Sequence, residues 1–364
     1  MKRFISFILG LVLISSLVLS GCGSKSTDSS KTPGEGGAKS PSKKIAYVTG
    51  TGGLGDKSFN DLGYEGIKKL KAEGIQCDVA EPKAISEMEG IIRNFADTEE
   101  YALIVAMGGD SVDSAKAVSA DYPEQPIMII DGFAGVDTIK SVILSQTDTS
   151  FLVGAYAALM EAEGKLPNSQ GKNIIGIVGG MDIPIIRSLI AGYSAGARYV
   201  NPDIKVLTTF VGAWNDPGKG AELAQSLFDQ GASIVFQAAG GSGLGVLEAA
   251  KKSNRYALGY DGNQNGLAPD NILASGIRGV GDMVYETAKD AIKGTFKGGD
   301  FTISMKDNAA TSQLTFEESK VATPQSVLDK LEKVKEFLVK AEVEIPAEPT
   351  DVDAYIEKVG KFQN

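Results

Sequence analysis

The sequence predicts an α/β protein of two lobes, each a doubly wound parallel sheet with flanking helices. Three observations carry this. Short apolar runs, most of them closed by Gly or Asp, recur along the chain in the manner of strands covered on both faces. Helical patterns separate them, and regular alternation of strand and helix implies parallel pairing. The series opens twice, at Lys44 and near Asn173, with a strand, a Gly-rich turn and a helix. Each series runs for roughly a hundred residues, and about 320 residues suit two lobes on one chain.

The N-terminus comes first. Lys2 and Arg3 form a basic head, residues 4–19 an apolar run, and Leu19-Ser20-Gly21-Cys22 closes it. That is a secretory signal over residues 1–21, and the Cys directly after the small pair resembles a bacterial lipobox. A lipobox implies a diacylglycerol on the sulfur of Cys22 and a protein held on the extracytoplasmic face of the cell membrane. Residues 22–43 hold the lipidated Cys and a Ser-, Lys-, Gly- and Pro-rich stretch with too few apolar side chains to fold, so they read as a flexible linker.

Strands are predicted at 44–49, 103–106, 127–130, 174–178, 206–210, 234–237 and 257–260, with a further one ending near Asp78. Helices are predicted at 62–73, 87–95, 111–120, 151–163, 185–200, 219–230, 245–252 and 282–293, and an amphipathic one at 326–342. Lobe 1 therefore spans 44–146 and lobe 2 spans 147–275, a return to lobe 1 occupies 276–305, and 306–364 packs on the lobes as a C-terminal segment. The tail after Ile345 is expected to wrap the surface.

Composition excludes several chemistries. There is no histidine, and setting Cys22 aside leaves Cys77 as the only thiol. No intrachain disulfide and no Cys/His metal site follow, and general acid–base work lacks the residue best suited to neutral pH. A net charge of −10 opposes nucleic-acid binding.

Three glycine motifs suggest other activities. Gly50-Thr51-Gly52-Gly53-Leu54-Gly55 fits a dinucleotide fingerprint after a strand, with Asp78 where a ribose-binding acid would stand. Asp56 then puts a negative charge where the pyrophosphate would lie. Gly192-Tyr193-Ser194-Ala195-Gly196 copies a nucleophile elbow, yet it lies inside a helical pattern in a chain without His, so close helix–sheet packing explains it better. Ala239–Gly245 follows a strand and mirrors Gly50–Gly55 in the other lobe, which favours a backbone approach to a ligand at Gly240 and Gly241.

What remains is a binding constellation. Phe59, in Asp56-Lys57-Ser58-Phe59-Asn60, and the single tryptophan, Trp214, stand where strands of different lobes hand over to the next element. Ser58 and Asp61 fit a helix N-terminal cap. Two such aromatics can close on a flat ring. Asp110, Asp131 and Asp261 sit at strand ends facing the expected cleft, where carboxylates suit a polyhydroxylated ligand. Aromatic plates with diol-binding acids describe a nucleoside.

The chain resembles the basic membrane protein family of bacterial lipoproteins, substrate-binding components of purine nucleoside ABC transporters. Val178-Gly179-Gly180-Met181-Asp182-Ile183-Pro184, Asn201-Pro202-Asp203, Trp214-Asn215-Asp216-Pro217, Gln237-Ala238-Ala239-Gly240-Gly241 and Asp261-Gly262-Asn263-Gln264 carry the resemblance, beside the segment around Phe59. It implies a two-lobe periplasmic-binding-protein type I fold that closes on its ligand and hands it to a membrane permease. By position, Phe59 and Trp214 would sandwich the base, Asn60 and Asp110 would bond the base edge or nearby sugar atoms, and Asp261 the ribose hydroxyls. Trp214 stands where Phe is usual, Arg278 where Lys is commoner, and Asn263 where a second Asp is commoner; Arg278 is expected close to Asp261. The sequence thus reads as a non-catalytic, cofactor-free monomer that binds nucleosides, most simply purine nucleosides. A flavin, a free base, or a secreted nucleoside-processing enzyme are the alternatives.

Overall fold

A computed structural model describes residues 44–363. Cys22, the signal segment and the linker lie outside the described residues.

The first lobe starts with β1 (Lys44–Val48), whose KIAYV side chains are buried after the first. Then come α1 (Phe59–Ala72), β2 (Cys77–Ala80), α2 (Ile85–Asp97), β3 (Tyr101–Met107), α3 (Val112–Asp121), β4 (Ile127–Ile130) and β5 (Ile139–Leu144). β1 lies between β2 and β3, with Ile45 opposite both Cys77 and Leu103. The second lobe contains α4 (Gln146–Glu163), β6 (Ile174–Gly179), α5 (Pro184–Val200), β7 (Lys205–Phe210), α6 (Pro217–Asp229), β8 (Ile234–Ala238), α7 (Gly243–Lys252), β9 (Tyr256–Asp261) and β10 (Ile272–Arg278). The chain ends with α8 (Val280–Ile292), β11 (Gly299–Ile303), β12 (Ser312–Thr315), α9 (Gln325–Lys340) and α10 (Val352–Val359).

Two six-stranded sheets result, ordered β11-β5-β4-β3-β1-β2 and β12-β10-β9-β8-β6-β7. Neighbouring strands are parallel except for β10 and β12, which are antiparallel. The two orders match strand for strand. α8 packs on α1, and β11 pairs with β5, so both belong to the first lobe.

Three strand-to-next-element passages join the lobes side by side. The Ser145 amide donates to the Ile303 carbonyl (2.8 Å) and the Gly279 amide to the Thr311 carbonyl (3.3 Å). The Met305 amide donates to an Asp148 carboxylate oxygen at 2.7 Å. β10 stays in the second sheet through Arg278, so the chain leaves that lobe at Gly279 rather than at 276. Past residue 306 the chain supplies β12 to the second sheet, packs α9 on α4 and seats α10 on α5. The tail after Ile345 therefore includes a helix, with Val352 and Tyr355 buried, rather than only a surface wrap.

The strands that the apolar-run criterion passes over are β5, β10, β11 and β12. Lys140 and Ser141 interrupt the first, Ser275 and Gly276 the second, and the last two are edge strands with exposed positions. An edge strand solvates one side, which dilutes the apolar signal. Cys77, the first residue of β2, is buried, and burial pushes its thiol up to about 11.

α4 is buried along nearly its whole length, because α5 lies directly on it. The Gly-x-Ser-x-Gly motif sits in that contact. A Cβ on Gly196 would stand 2.0 Å from the Phe151 carbonyl oxygen, and one on Gly192 would stand 2.2 Å from the Ser150 hydroxyl. The motif thus serves helix–helix packing, not the helix–sheet packing expected from its sequence. Because backbone rather than a mobile side chain blocks the added methyl, Gly196→Ala is expected to lower stability by about 1–3 kcal/mol. Urea denaturation of the two proteins measures this directly.

Candidate functional site

Parallel strands bring every strand-end loop of a lobe to the same side. The cleft between the lobes lies there, with about 760 Å³ of empty space counting its mouth. All ten residues singled out from the sequence line it: Asp56, Phe59, Asn60, Asp110 and Asp131 from the first lobe, and Trp214, Gly240, Gly241, Asp261 and Arg278 from the second.

The turn after β1 is held by Asp56. One carboxylate oxygen accepts from the Ser58 (2.9 Å) and Asp61 (3.1 Å) amides. The other accepts from the Asn60 amide and side-chain nitrogen, both at 2.9 Å. These four donors fill the lone-pair sites of a carboxylate, so Asp56 caps α1 and has no acceptor left for a ligand. Burial raises its pKa, opposed by the amides of Asn60, Ser58 and Asp61.

Ser58 is not the cap that its spacing suggests. Its hydroxyl turns across to the other lobe and donates to the Tyr260 carbonyl (3.2 Å) and Asp261 carboxylate (3.1 Å). Asn60 accepts from the Gly50 amide at 2.8 Å, which leaves it one N–H and one lone pair.

The dinucleotide reading fails on the same turn. The amides of Gly50, Leu54 and Gly55 already donate to Asn60, Glu81 and Asp61. Asp78 accepts from the Tyr101 hydroxyl at 2.7 Å within the first lobe. No group of three or more metal-ligating side chains among the described residues is placed to hold a metal ion.

In the second lobe the Trp214 ring lies against Gly180, where a Cβ would meet the ring at 2.3 Å. A Cβ on Gly52 of the first lobe would stand 3.7 Å from the Trp214 Cβ, so the rims nearly touch. Gly240 and Gly241 begin a one-turn 3₁₀ segment after β8, and its counterpart after β3 is Gly109–Ser111, which carries Asp110. The mirror of Ala239–Gly245 is therefore that turn, not Gly50–Gly55. A Cβ on Gly241 would come 3.9 Å from the Asp56 Cβ across the cleft.

Asp131 and Asp261 occupy matching ends of β4 and β9, both with left-handed backbone, φ 61° and 68°. Arg278 links them, with Nη1 2.8 Å from Asp131 and Nε 2.7 Å from Asp261. Burial works against its charge, but the two carboxylates outweigh it and hold the guanidinium pKa well above its ordinary value. Asp261 is thus engaged by Arg278 and Ser58, with a lone pair to spare on each oxygen. Asp110 differs: its half-buried carboxylate makes no hydrogen bond or ion pair among the described residues, and burial pushes its pKa up.

Several lining residues escaped the sequence reading. Ile183, Ile185, Ile186 and Leu189 form an apolar wall at the start of α5, and Met107, Gln146 and Tyr260 also line the cleft. The run Ile183-Pro184-Ile185-Ile186 after a strand end was a usable signal for that wall. The buried Oε1 of Gln146 and the Tyr260 hydroxyl have no hydrogen-bond partner among the described residues.

Two α/β lobes facing one partly apolar cleft define the periplasmic-binding-protein type I fold. A solved ABC transporter solute-binding protein from Aeropyrum pernix K1 superposes with a TM-score of 0.75 at 26% identity, over 87% of this chain and 97% of that one. The lac repressor dimer bound to operator shares the fold at a TM-score of 0.52 and 15% identity, over 78% and 96% of the chains. The family model described as "ABC transporter substrate-binding protein PnrA-like" matches residues 43–348, and the chain belongs to that family. A lipoprotein of Pyrococcus abyssi is 31% identical over 83% of this chain and 74% of its own length. Basic membrane protein A of Borreliella burgdorferi is 32% identical over 80% and 82%. The chain is accordingly an ABC transporter solute-binding protein, which implies a small solute and a permease partner.

The Asp56 turn offers a test of this geometry. Asp56→Ala removes the acceptor for four donors at once, three of them on buried residues. It is expected to cost at least about 1.5–3 kcal/mol, the range for one hydrogen bond to a charged group, measured by urea denaturation.

Proposed function

We propose that the solute is a nucleoside, most simply a purine nucleoside, captured by lobe closure and passed to the permease intact. The observation that carries this is the lining itself: Phe59 and Trp214 come from opposite lobes, and the Asp110 carboxylate in the same lining has no hydrogen bond or ion pair among the described residues. The aromatic pair suits a flat base. Asp110 suits a base N–H or a sugar hydroxyl. The unpartnered Gln146 oxygen and Tyr260 hydroxyl favour a ligand that brings hydroxyl groups, hence a nucleoside over a free base.

Calorimetric titration with inosine, guanosine and adenosine, and with the free bases for comparison, tests the reading. Recovery of each nucleoside unchanged separates a binder from an enzyme. Phe59→Ala and Trp214→Ala are each expected to weaken binding by about 1–3 kcal/mol, roughly tenfold to a hundredfold. Unaltered affinity in both variants would remove the sandwich.

The protein is further proposed to be held at the outer face of the cell membrane through lipid on Cys22. The Pyrococcus abyssi relative is named a lipoprotein, and among the described residues no helix is long and apolar enough to cross a membrane. Acyl chains supply the membrane affinity in such an anchor. Metabolic labelling with a radioactive fatty acid is expected to mark the wild type and not Cys22→Ser.

A further inference from the structure

We propose that Arg278 is a positioning residue for lobe closure, a buried bridge whose charged arms and flat faces each join one lobe to the other. The inference deepens the solute-binding reading and holds whichever solute the cleft takes.

Arg278 is the last residue of β10, directly before the chain leaves the second lobe at Gly279. The side chain is 2% exposed. Its Nε donates to Asp261 of its own lobe at 2.7 Å, while Nη1 donates to both oxygens of Asp131 on the first lobe at 3.0 and 2.8 Å. The guanidinium carbon lies 5.6 Å from the ring centre of Phe59, in the first lobe, and 5.4 Å from that of Tyr260, in the second. One acid and one aromatic from each lobe therefore meet on a single planar cation.

The neighbouring polar contacts between lobes converge on the same place. Ser58 donates to Asp261, and the Gln264 side-chain nitrogen donates to the Lys57 carbonyl at 2.9 Å. Opening the cleft separates Asp131 and Phe59 from Arg278, while Asp261 and Tyr260 remain with it. A buried ion pair roughly balances its desolvation cost, so its contribution is to geometry more than to tightness. The planar fork can satisfy both carboxylates only when they face each other across it, which selects one closed arrangement. A lysine presents a point charge whose three donors can reach two acids but lack the planar fork that fixes their relative orientation. The same bridge places Phe59 for stacking, so the closing contact and the base plate are set together.

Hydrogen exchange followed by mass spectrometry on the full lipoprotein without ligand tests the bridge. The peptides to follow cover residues 56–60 and 260–264, with β1, β6 and α4 as controls for intact folding. Asp131→Asn is expected to raise exchange in the two cleft peptides several-fold and leave the controls protected. Arg278→Lys is expected to fall between wild type and Arg278→Met. Unchanged cleft exchange in both Asp131→Asn and Arg278→Lys would overturn the proposal. A second arm uses inosine: the variants are expected to release it at least tenfold faster, with association within about twofold of wild type, because closure follows encounter. A protein that binds no nucleoside sinks the nucleoside reading alone, since the ligand-free exchange still decides the bridge.

Discussion

Strand direction governs this molecule. With the single exception of β12, paired strands run the same way, so every turn at a carboxyl end opens toward one face of its lobe. The joining segments at Ser145, Gly279 and Met305 lie side by side and turn those two faces toward each other. The cleft follows from that polarity. Asp110, Asp131, Trp214, Gly240 and Asp261 need no special folding device to meet, because each stands just past or at the end of a strand.

Much of the fold was legible in the sequence for the same reason. Central strands such as Ile127–Ile130 and Ile234–Ala238 are covered on both faces, and their unbroken apolar runs announce it. The edges were not legible. Gly299–Ile303 and Ser312–Thr315 are short and partly exposed, and local pattern cannot separate them from loop. Ile139–Leu144 is internal but carries Lys140, whose stem reaches Thr287 of α8, so a polar residue masks a buried strand. Segment boundaries suffered similarly: α4 starts at Gln146 because Ser145 accepts from the Asp148 amide there, five residues ahead of the first large apolar side chain.

The candidate site was legible as a set of residues but not as a set of roles. Spacing identified Asp56, Ser58 and Asp261 without saying which carboxylates are already engaged. Hydrogen-bond saturation decides that, and it depends on neighbours distant in sequence. Asp56 is filled by its own turn, Asp131 and Asp261 are held by Arg278, and Asp110 alone of the four is unengaged among the described residues. The Ser58 hydroxyl illustrates the same limit, since its partner lies two hundred positions away in the other lobe. Likewise the glycines of the Gly-x-Ser-x-Gly segment are explained by the backbone of α4, which no local motif encodes.

The pairing of β11 with β5 bears on how the chain reaches its final form. Leu144 and Ile303 are neighbours in the finished sheet, yet all of the second lobe except β12, α9 and α10 lies between them in sequence. The first lobe therefore cannot complete its sheet while the polypeptide is still emerging in order. Its edge waits for a loop closure over many residues, a step whose entropic cost precedes any contact energy gained. The second lobe has its central strands contiguous in sequence and borrows only β12 from farther on. Each sheet thus closes on an edge strand delivered late, the first across a far longer stretch of chain than the second.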